Sequence, residues 1–116
     1  MTRFQDILRK LAIIDEAFVE DGAGLGLGPA GTTALDARTV ALLRLGASVA
    51  IGSSTTCHAW SAGQALMAGA TDVEIAEVLL AIAPVTGLSR VASAAPDVAA
   101  ALGYDLTTAL EDPDDN

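Results

Sequence analysis

The segment from Thr71 to Val85 constrains the fold of this chain more than any other. Thr71 and Glu74 have the spacing of a capping box, in which the two side chains accept hydrogen bonds from backbone N–H groups at the start of a helix. From Ile75 to Val85 the chain carries one charged residue, Glu77. A helix that is apolar nearly all round lies in a core or in an interface. We therefore expect a helical protein that self-associates.

Helical periodicity recurs on both sides of this segment, and the sequence shows no strand pattern. Pro84 is expected to kink or split the central helix, and the glycine-rich stretch 22–31 is expected to be a loop. The other predicted helices span 3–20, 35–51, 54–67 (after a cap at Ser53 or Ser54), 88–94 and 96–102. The sequence thus predicts an all-α bundle of about five to six helices, with a single domain over 1–110 and an acidic tail over 111–116.

The composition indicates what kind of core the protein forms and which classes of partner it is not expected to bind. Of the 116 residues, 52% are hydrophobic, many of them alanine, so the core is expected to form from small and aliphatic side chains on closely packed helices. A net charge of −9 argues against nucleic acid and against an anionic membrane as partners. The sequence shows neither a signal peptide nor an apolar run long enough to span a membrane, and a cytoplasmic protein is expected.

The central part of the sequence departs from this acidic character. No carboxylate occurs between Asp36 and Asp72, a stretch that contains Arg38, Arg44 and His58. A locally positive region within an acidic chain suits a small anionic substrate, because an arginine can bind a carboxylate through two hydrogen bonds.

Cys57 is the first candidate for chemistry. It is the only cysteine, and it falls in the first turn of a predicted helix, where the helix dipole favours a thiolate. Ser54, Ser61 and Gln64 lie at −3, +4 and +7 from it and share one stripe of the helix. Free cysteines are also often buried as small apolar residues, so the sequence leaves a structural and a functional role open.

His58, the only histidine, is the second candidate. It lies about 100° around the helix from Cys57, which disfavours a direct Cys–His pair within one subunit. Trp60 is a candidate ligand contact, although a single tryptophan more often lies in a core or an interface. One histidine and one cysteine without a nearby carboxylate give weak support for a metal, and the sequence predicts no metal and no cofactor.

Three blocks of sequence carry a resemblance to a known family. They are Leu35-Asp36-Ala37-Arg38-Thr39, the run Ala68-Gly69-Ala70-Thr71-Asp72-Val73-Glu74-Ile75-Ala76-Glu77-Val78-Leu79, and Ala83-Pro84-Val85-Thr86-Gly87. With the order of the helices, these blocks resemble the carboxymuconolactone decarboxylase and AhpD-like superfamily. The resemblance implies an all-helical fold that assembles into trimers or hexamers.

The site residues of that superfamily carry over incompletely. The resemblance places the Cys-x-x-Cys pair of the AhpD-like branch at Ser54 and Cys57, its histidine at Ser61 and its acidic residue near Leu42. In the decarboxylase branch a glutamate would stand at Cys57. His58 is three residues out of register with the histidine of either branch.

These departures leave three functions open. The first is a one-Cys thiol peroxidase or reductase that acts through Cys57, with an external thiol as resolver. The second is a decarboxylase-like enzyme on a small anionic organic acid, with His58 as the acid–base group and Arg44 as a carboxylate contact. The third is a non-catalytic oligomeric binding or scaffold protein. The residues alone do not decide whether the chain is an enzyme.

Overall fold

The structure, a computed structural model, describes residues 2–17 and 34–111. No strand occurs in these two ranges, so the prediction of an all-α fold is confirmed for them. The predicted loop at 22–31 and the tail beyond Glu111 lie outside the described residues. Six helices are described: α1 (Arg3–Ala12), α2 (Ala37–Ala50), α3 (Thr55–Met67), α4 (Asp72–Thr86), α5 (Leu88–Ala101) and α6 (Leu106–Glu111).

Among the described residues, helix α1 belongs to one compact unit, and the helices after Ala37 belong to a second unit that begins at Arg38. The sequence predicts one helix over 3–20, whereas the structure interrupts it after Ala12, over residues 13–15, and residues 18–20 lie outside the described part of the chain. Ile14 has a left-handed backbone with φ of 54°, and the Asp15 backbone N–H donates to the Lys10 carbonyl over 3.0 Å. This bond closes the last turn as a C-terminal cap does. The single-domain assignment stays a prediction.

Helix α4 begins with the predicted capping box. The Thr71 hydroxyl accepts from the Glu74 backbone N–H over 3.1 Å, and the Glu74 carboxylate accepts from the Thr71 backbone N–H over 2.8 Å. Pro84 is predicted to kink or split this helix, and the split is wrong, because α4 continues to Thr86. Pro84 leaves the carbonyl of Leu80 without its helical donor. Leu80 is exposed, so water can hydrate that carbonyl.

Helix α5 also continues through a proline. The sequence predicted two segments separated before Pro96, but one helix runs from Leu88 to Ala101. The carbonyl that Pro96 leaves without a donor belongs to Ala92, which is exposed to water. Ala94 and Val98, on either side of the proline, are buried in the core. Their packing holds the helix together where one backbone hydrogen bond is missing.

The core of the second unit forms where α5 packs against α3 and α4. Its side chains are small and aliphatic, as expected from the composition. Helix α2 approaches α4 closely at Gly46, where an added Cβ would lie 3.3 Å from the side chains of Val78 and Ile82. The buried core residues are Leu45, Val49, Ala62, Ala65, Ala70, Ile75, Ala94 and Val98.

Helix α6 was not predicted from the sequence. Asp105 precedes it, and its carboxylate accepts from the Thr108 backbone N–H over 3.0 Å and from the Thr108 hydroxyl over 2.7 Å. The hydrogen bond from that backbone N–H is the main reason why the pKa of Asp105 is lowered. An aspartate at the N-cap position accepts from the backbone N–H three residues later, and this spacing in the sequence can indicate the start of a helix.

Candidate functional site

Helix α3 carries both residues that the sequence selected for chemistry, and Ser54 fixes where this helix begins. The Ser54 hydroxyl accepts from the Cys57 backbone N–H over 3.2 Å, as an N-cap does. Of the two predicted caps, Ser54 is therefore the one used. With the start of α3 fixed, Cys57 is exposed to solvent and His58 points into the protein.

His58 is buried and bound to a carboxylate that is distant in sequence. Its Nδ1 lies 3.0 Å from Oδ2 of Asp97, on α5. The histidine side chain is 7% exposed and the aspartate side chain 17%. Because water is largely excluded, this bond positions the imidazole ring and ties α3 to α5. A carboxylate does lie beside His58, although none is near it in sequence.

The bond to Asp97 sets the tautomer of the ring. A carboxylate accepts hydrogen bonds, so Nδ1 carries the proton and Nε2 of the neutral ring is an acceptor. Nε2 is buried, and no hydrogen-bond partner for it occurs among residues 2–17 and 34–111. Leaving a buried polar atom unpaired costs about 1–3 kcal/mol. A donor on a bound water or on a ligand would satisfy this atom.

His58 lines a cavity of about 300 Å³ in the same unit. The described lining contains one cation, Arg90, and no carboxylate. Three serines contribute hydroxyl groups, and the only aliphatic side chain is that of Val49. The lining residues are Val49, Gly52, Ser53, His58, Ser89, Arg90 and Ser93. A cavity with this lining is suited to a small polar anion.

The Arg90 guanidinium lies against Gly52. A Cβ built on Gly52 would collide with the Arg90 guanidinium, and Gly52 has a left-handed backbone with φ of 70°. Glycine adopts this conformation without strain and leaves room for the guanidinium. Within the part of the chain that the structure describes, Arg90 makes no ion pair. Its charge is therefore available to a ligand of the cavity.

The other predicted site residues on α3 lie outside this cavity. Ser61 is buried, Gln64 is half-buried and donates to Met67 Sδ over 3.9 Å, and Trp60 is 50% exposed. Cys57 and Ser54 are exposed at the start of the helix. The stripe of polar residues predicted through Cys57 therefore runs from an exposed end to a buried middle. Of the site residues predicted from the sequence, His58 is the only one in the described lining of the cavity.

The two arginines of the predicted positive region are not cavity residues. Arg38 forms an ion pair with Glu74 over 3.3 Å. Arg44 is exposed on α2 and is not part of the described cavity lining. Among the described residues, no group of three or more histidine, cysteine, aspartate or glutamate side chains is placed to hold a metal ion. None of the described helices is long and apolar enough to cross a membrane.

Sequence reasoning missed Asp97, Arg90 and the cavity serines, although part of the signal was present. Ser89, Ser93 and Asp97 follow one another at four-residue spacing, which places them on one face of a helix. The sequence predicts two helices, 88–94 and 96–102, with a break before Pro96. This break places Asp97 on a different helix from the two serines. A continuous helix would have shown a polar face on an otherwise apolar element.

Comparison with known families is consistent with this fold. The model of the carboxymuconolactone decarboxylase family matches residues 22–101, a range that includes every residue of the cavity and Asp97. The match covers more than half of the chain, so the protein belongs to the carboxymuconolactone decarboxylase family, and the predicted membership in the wider AhpD-like superfamily is confirmed. Neither the comparison with curated proteins nor the one with solved structures gave a match.

Proposed function

We propose that this protein is an enzyme that transfers a proton to or from a small organic acid. His58 is the acid–base group, Asp97 orients it, and Arg90 binds the carboxylate of the acid. The observation that carries the proposal is the buried Nε2 of His58, which has no described partner and belongs to a side chain that lines a cavity with an arginine. This arrangement corresponds to the second function that the sequence left open, with Arg90 in place of Arg44.

The proton transfer follows from the tautomer. Nε2 of neutral His58 takes a proton from the substrate, the bond from that proton to the substrate breaks, and the electron pair stays on the substrate. The imidazolium that forms is stabilised by the Asp97 carboxylate on Nδ1. The same proton can return to a later intermediate. The step needs neither an oxidant nor a second thiol.

The proposal is tested with two neighbouring residues of α3. A panel of small hydroxy, keto and lactone carboxylates is incubated with the protein, and product formation is followed by NMR. His58→Gln is expected to lower turnover by at least about 100-fold, the usual contribution of an acid–base group. Cys57→Ser, one residue away and exposed, is the matched control and is expected to keep turnover within about twofold. Binding of an acid without turnover by the unaltered protein would favour the non-catalytic alternative.

A one-Cys peroxidase is the second candidate, and the exposure of Cys57 favours it. The thiolate sulfur would bond to the terminal oxygen of a hydroperoxide, the O–O bond would break, and an alcohol and a sulfenic acid would form. An external thiol would release water in forming a mixed disulfide, and a second external thiol would restore Cys57. Loss of peroxide turnover in Cys57→Ser, with His58→Gln unaffected, would select this candidate.

We further propose that the chain self-associates through an apolar groove between α2 and α4. The groove has a volume of about 460 Å³, and its apolar side chains include Leu42, Leu43, Ala47, Val78, Ile82 and Val85. Leu43 is 59% exposed and Val85 is 91% exposed. A continuous apolar surface of this kind on a small domain usually contacts a partner. A trimer or a dimer of trimers remains the expected state.

Charged substitutions in the groove test this proposal. We expect light scattering to give a multiple of 11.7 kDa for the unaltered protein and 11.7 kDa for the double variant Leu43→Glu with Val85→Glu. Leu110→Glu is the matched control, because Leu110 is 77% exposed on α6 and is not a described groove residue. A mass of 11.7 kDa for the unaltered protein would contradict the proposal.

A further inference from the structure

We infer that the ligand of the His58 cavity is a small hydroxy acid, that is, a carboxylate with a hydroxyl group on a nearby carbon. The inference rests on the proposed function and deepens it. It follows from which polar groups of the cavity can still donate a hydrogen bond and which can only accept one. Two sets of lining groups follow: a donor set at Arg90, here called the anion-binding end, and an acceptor set at His58 and Ser53, here called the accepting end.

The accepting end begins with His58. Asp97 holds the proton on Nδ1, so Nε2 offers a lone pair and no proton while the ring is neutral. The side chain is more than nine-tenths buried, and Nε2 has no partner among the described residues. A ligand atom that meets Nε2 in this state must therefore donate a hydrogen. A carboxylate oxygen cannot do so, whereas a hydroxyl group can.

Ser53 extends the accepting end by the same reasoning. Its hydroxyl donates to the Ser48 carbonyl over 2.7 Å, which uses its only hydrogen. The hydroxyl groups of Ser53 and Ser48 are also hydrogen-bonded to each other. Since the hydrogen of Ser53 is already used, Ser48 must be the donor in that bond. Ser53 therefore presents only a lone pair to the cavity, and it too requires a donor from the ligand.

The anion-binding end lies at the start of α5. Ser89 and Arg90 belong to its first turn, and both line the cavity. Gly87 occupies the N-cap position and offers no side chain to the first backbone N–H groups of the helix. Those N–H groups and the helix dipole favour an anion. The Arg90 guanidinium adds up to five donors and a full positive charge. This end of the cavity is therefore rich in donors, whereas the other end is rich in acceptors.

The ligand hydroxyl that donates to Nε2 of His58 is also the group from which the enzyme takes a proton. When Nε2 accepts the hydroxyl proton, the O–H bond breaks, an N–H bond forms on His58, and the electron pair remains on the substrate oxygen. Asp97 stabilises the resulting imidazolium. The reaction that follows must consume an alkoxide, as addition of that oxygen to a carbonyl group does: a C–O bond forms, the C=O π bond breaks, and the proton on His58 moves to the former carbonyl oxygen.

Matched acids with and without the hydroxyl group test this inference. The probes are lactate against propionate and 3-hydroxybutyrate against butyrate, with binding measured by calorimetry on the full chain. We expect at least one hydroxy acid to bind about tenfold or more tightly than its partner, since buried acceptors left unpaired by the deoxy acid weaken its binding. Ser53→Ala is expected to reduce this ratio several-fold, and Arg90→Gln is expected to weaken both members of a pair.

The outcomes separate the inference from the proposed function. Equal binding of both members of each pair, lost in Arg90→Gln, would overturn the hydroxy-acid inference and leave the anion-binding cavity intact. A failure of all four acids to bind would overturn both. Circular dichroism of each variant distinguishes a loss of binding from a loss of folding. Glu77→Ala, at an exposed position that is not part of the described cavity lining, should leave the ratio within each pair unchanged.

Discussion

Replacing Asp97 with alanine is expected to lower the free energy of unfolding by about 2 kcal/mol. The substitution removes the acceptor that lies 3.0 Å from Nδ1 of His58 and leaves both ring nitrogens of a buried histidine without a partner among the described residues. Because this bond links α3 to α5, its loss also removes the constraint that orients the ring. Chemical denaturation at a fixed protein concentration measures the change, since self-association affects apparent stability.

Two further variants make this prediction specific. Asp97→Asn keeps an amide oxygen that can accept from Nδ1, and it is expected to cost less than half as much as Asp97→Ala. Glu77→Ala removes an exposed carboxylate from α4 and is expected to change the free energy of unfolding by less than about 0.5 kcal/mol. If Asp97→Ala were no more destabilising than Glu77→Ala, the His58–Asp97 bond would have no structural role.

Leu45→Ala is expected to be the most destabilising of the substitutions considered, with a loss of about 3 kcal/mol in the free energy of unfolding. Leu45 is fully buried on α2 and belongs to a core in which many neighbours are alanines. Alanines cannot move into the space that a shortened side chain leaves, so the resulting cavity stays open. The helices approach closely at Gly46, which further restricts collapse.

An exposed leucine provides the control for this prediction. Leu110 on α6 is 77% exposed, and Leu110→Ala is expected to change the free energy of unfolding by less than about 0.5 kcal/mol. Both variants are compared by denaturation at the same protein concentration. A loss below 1 kcal/mol for Leu45→Ala would show that the core repacks around the substitution, contrary to the packing described for α2.

More of the fold than of the candidate site could be predicted from the sequence. The apolar run after Thr71 and its capping box determine α4 locally, and the structure confirms both. The predicted helix boundaries are wrong where tertiary packing or backbone geometry overrides the local sequence preference. Pro84 and Pro96 lie within continuous helices, and α1 ends at Ala12 despite an apolar pattern that continues to Phe18. A proline is tolerated where the carbonyl that it leaves unpaired can reach water.

The candidate site depends on contacts that no local pattern contains. His58 could be selected from the sequence because it is the only histidine, but its partner Asp97 is 39 residues away. Arg90 and Gly52 line the same cavity and lie against each other, although they are 38 residues apart, and this proximity exists only in the folded chain. The residues near Cys57 in sequence could be selected by spacing, yet the structure places them outside the cavity.

The most direct test of the acid–base role of His58 is the nitrogen-15 NMR spectrum of its imidazole ring, which gives one set of signals because the chain has a single histidine. At a pH where the ring is neutral, we predict a protonated Nδ1 and an unprotonated Nε2. Saturation with a bound hydroxy acid should move the Nε2 signal and leave the Nδ1 signal nearly in place, and Arg90→Gln should abolish the change. A proton on Nε2 of the free protein, or an Nε2 signal that no bound acid moves, would contradict the account.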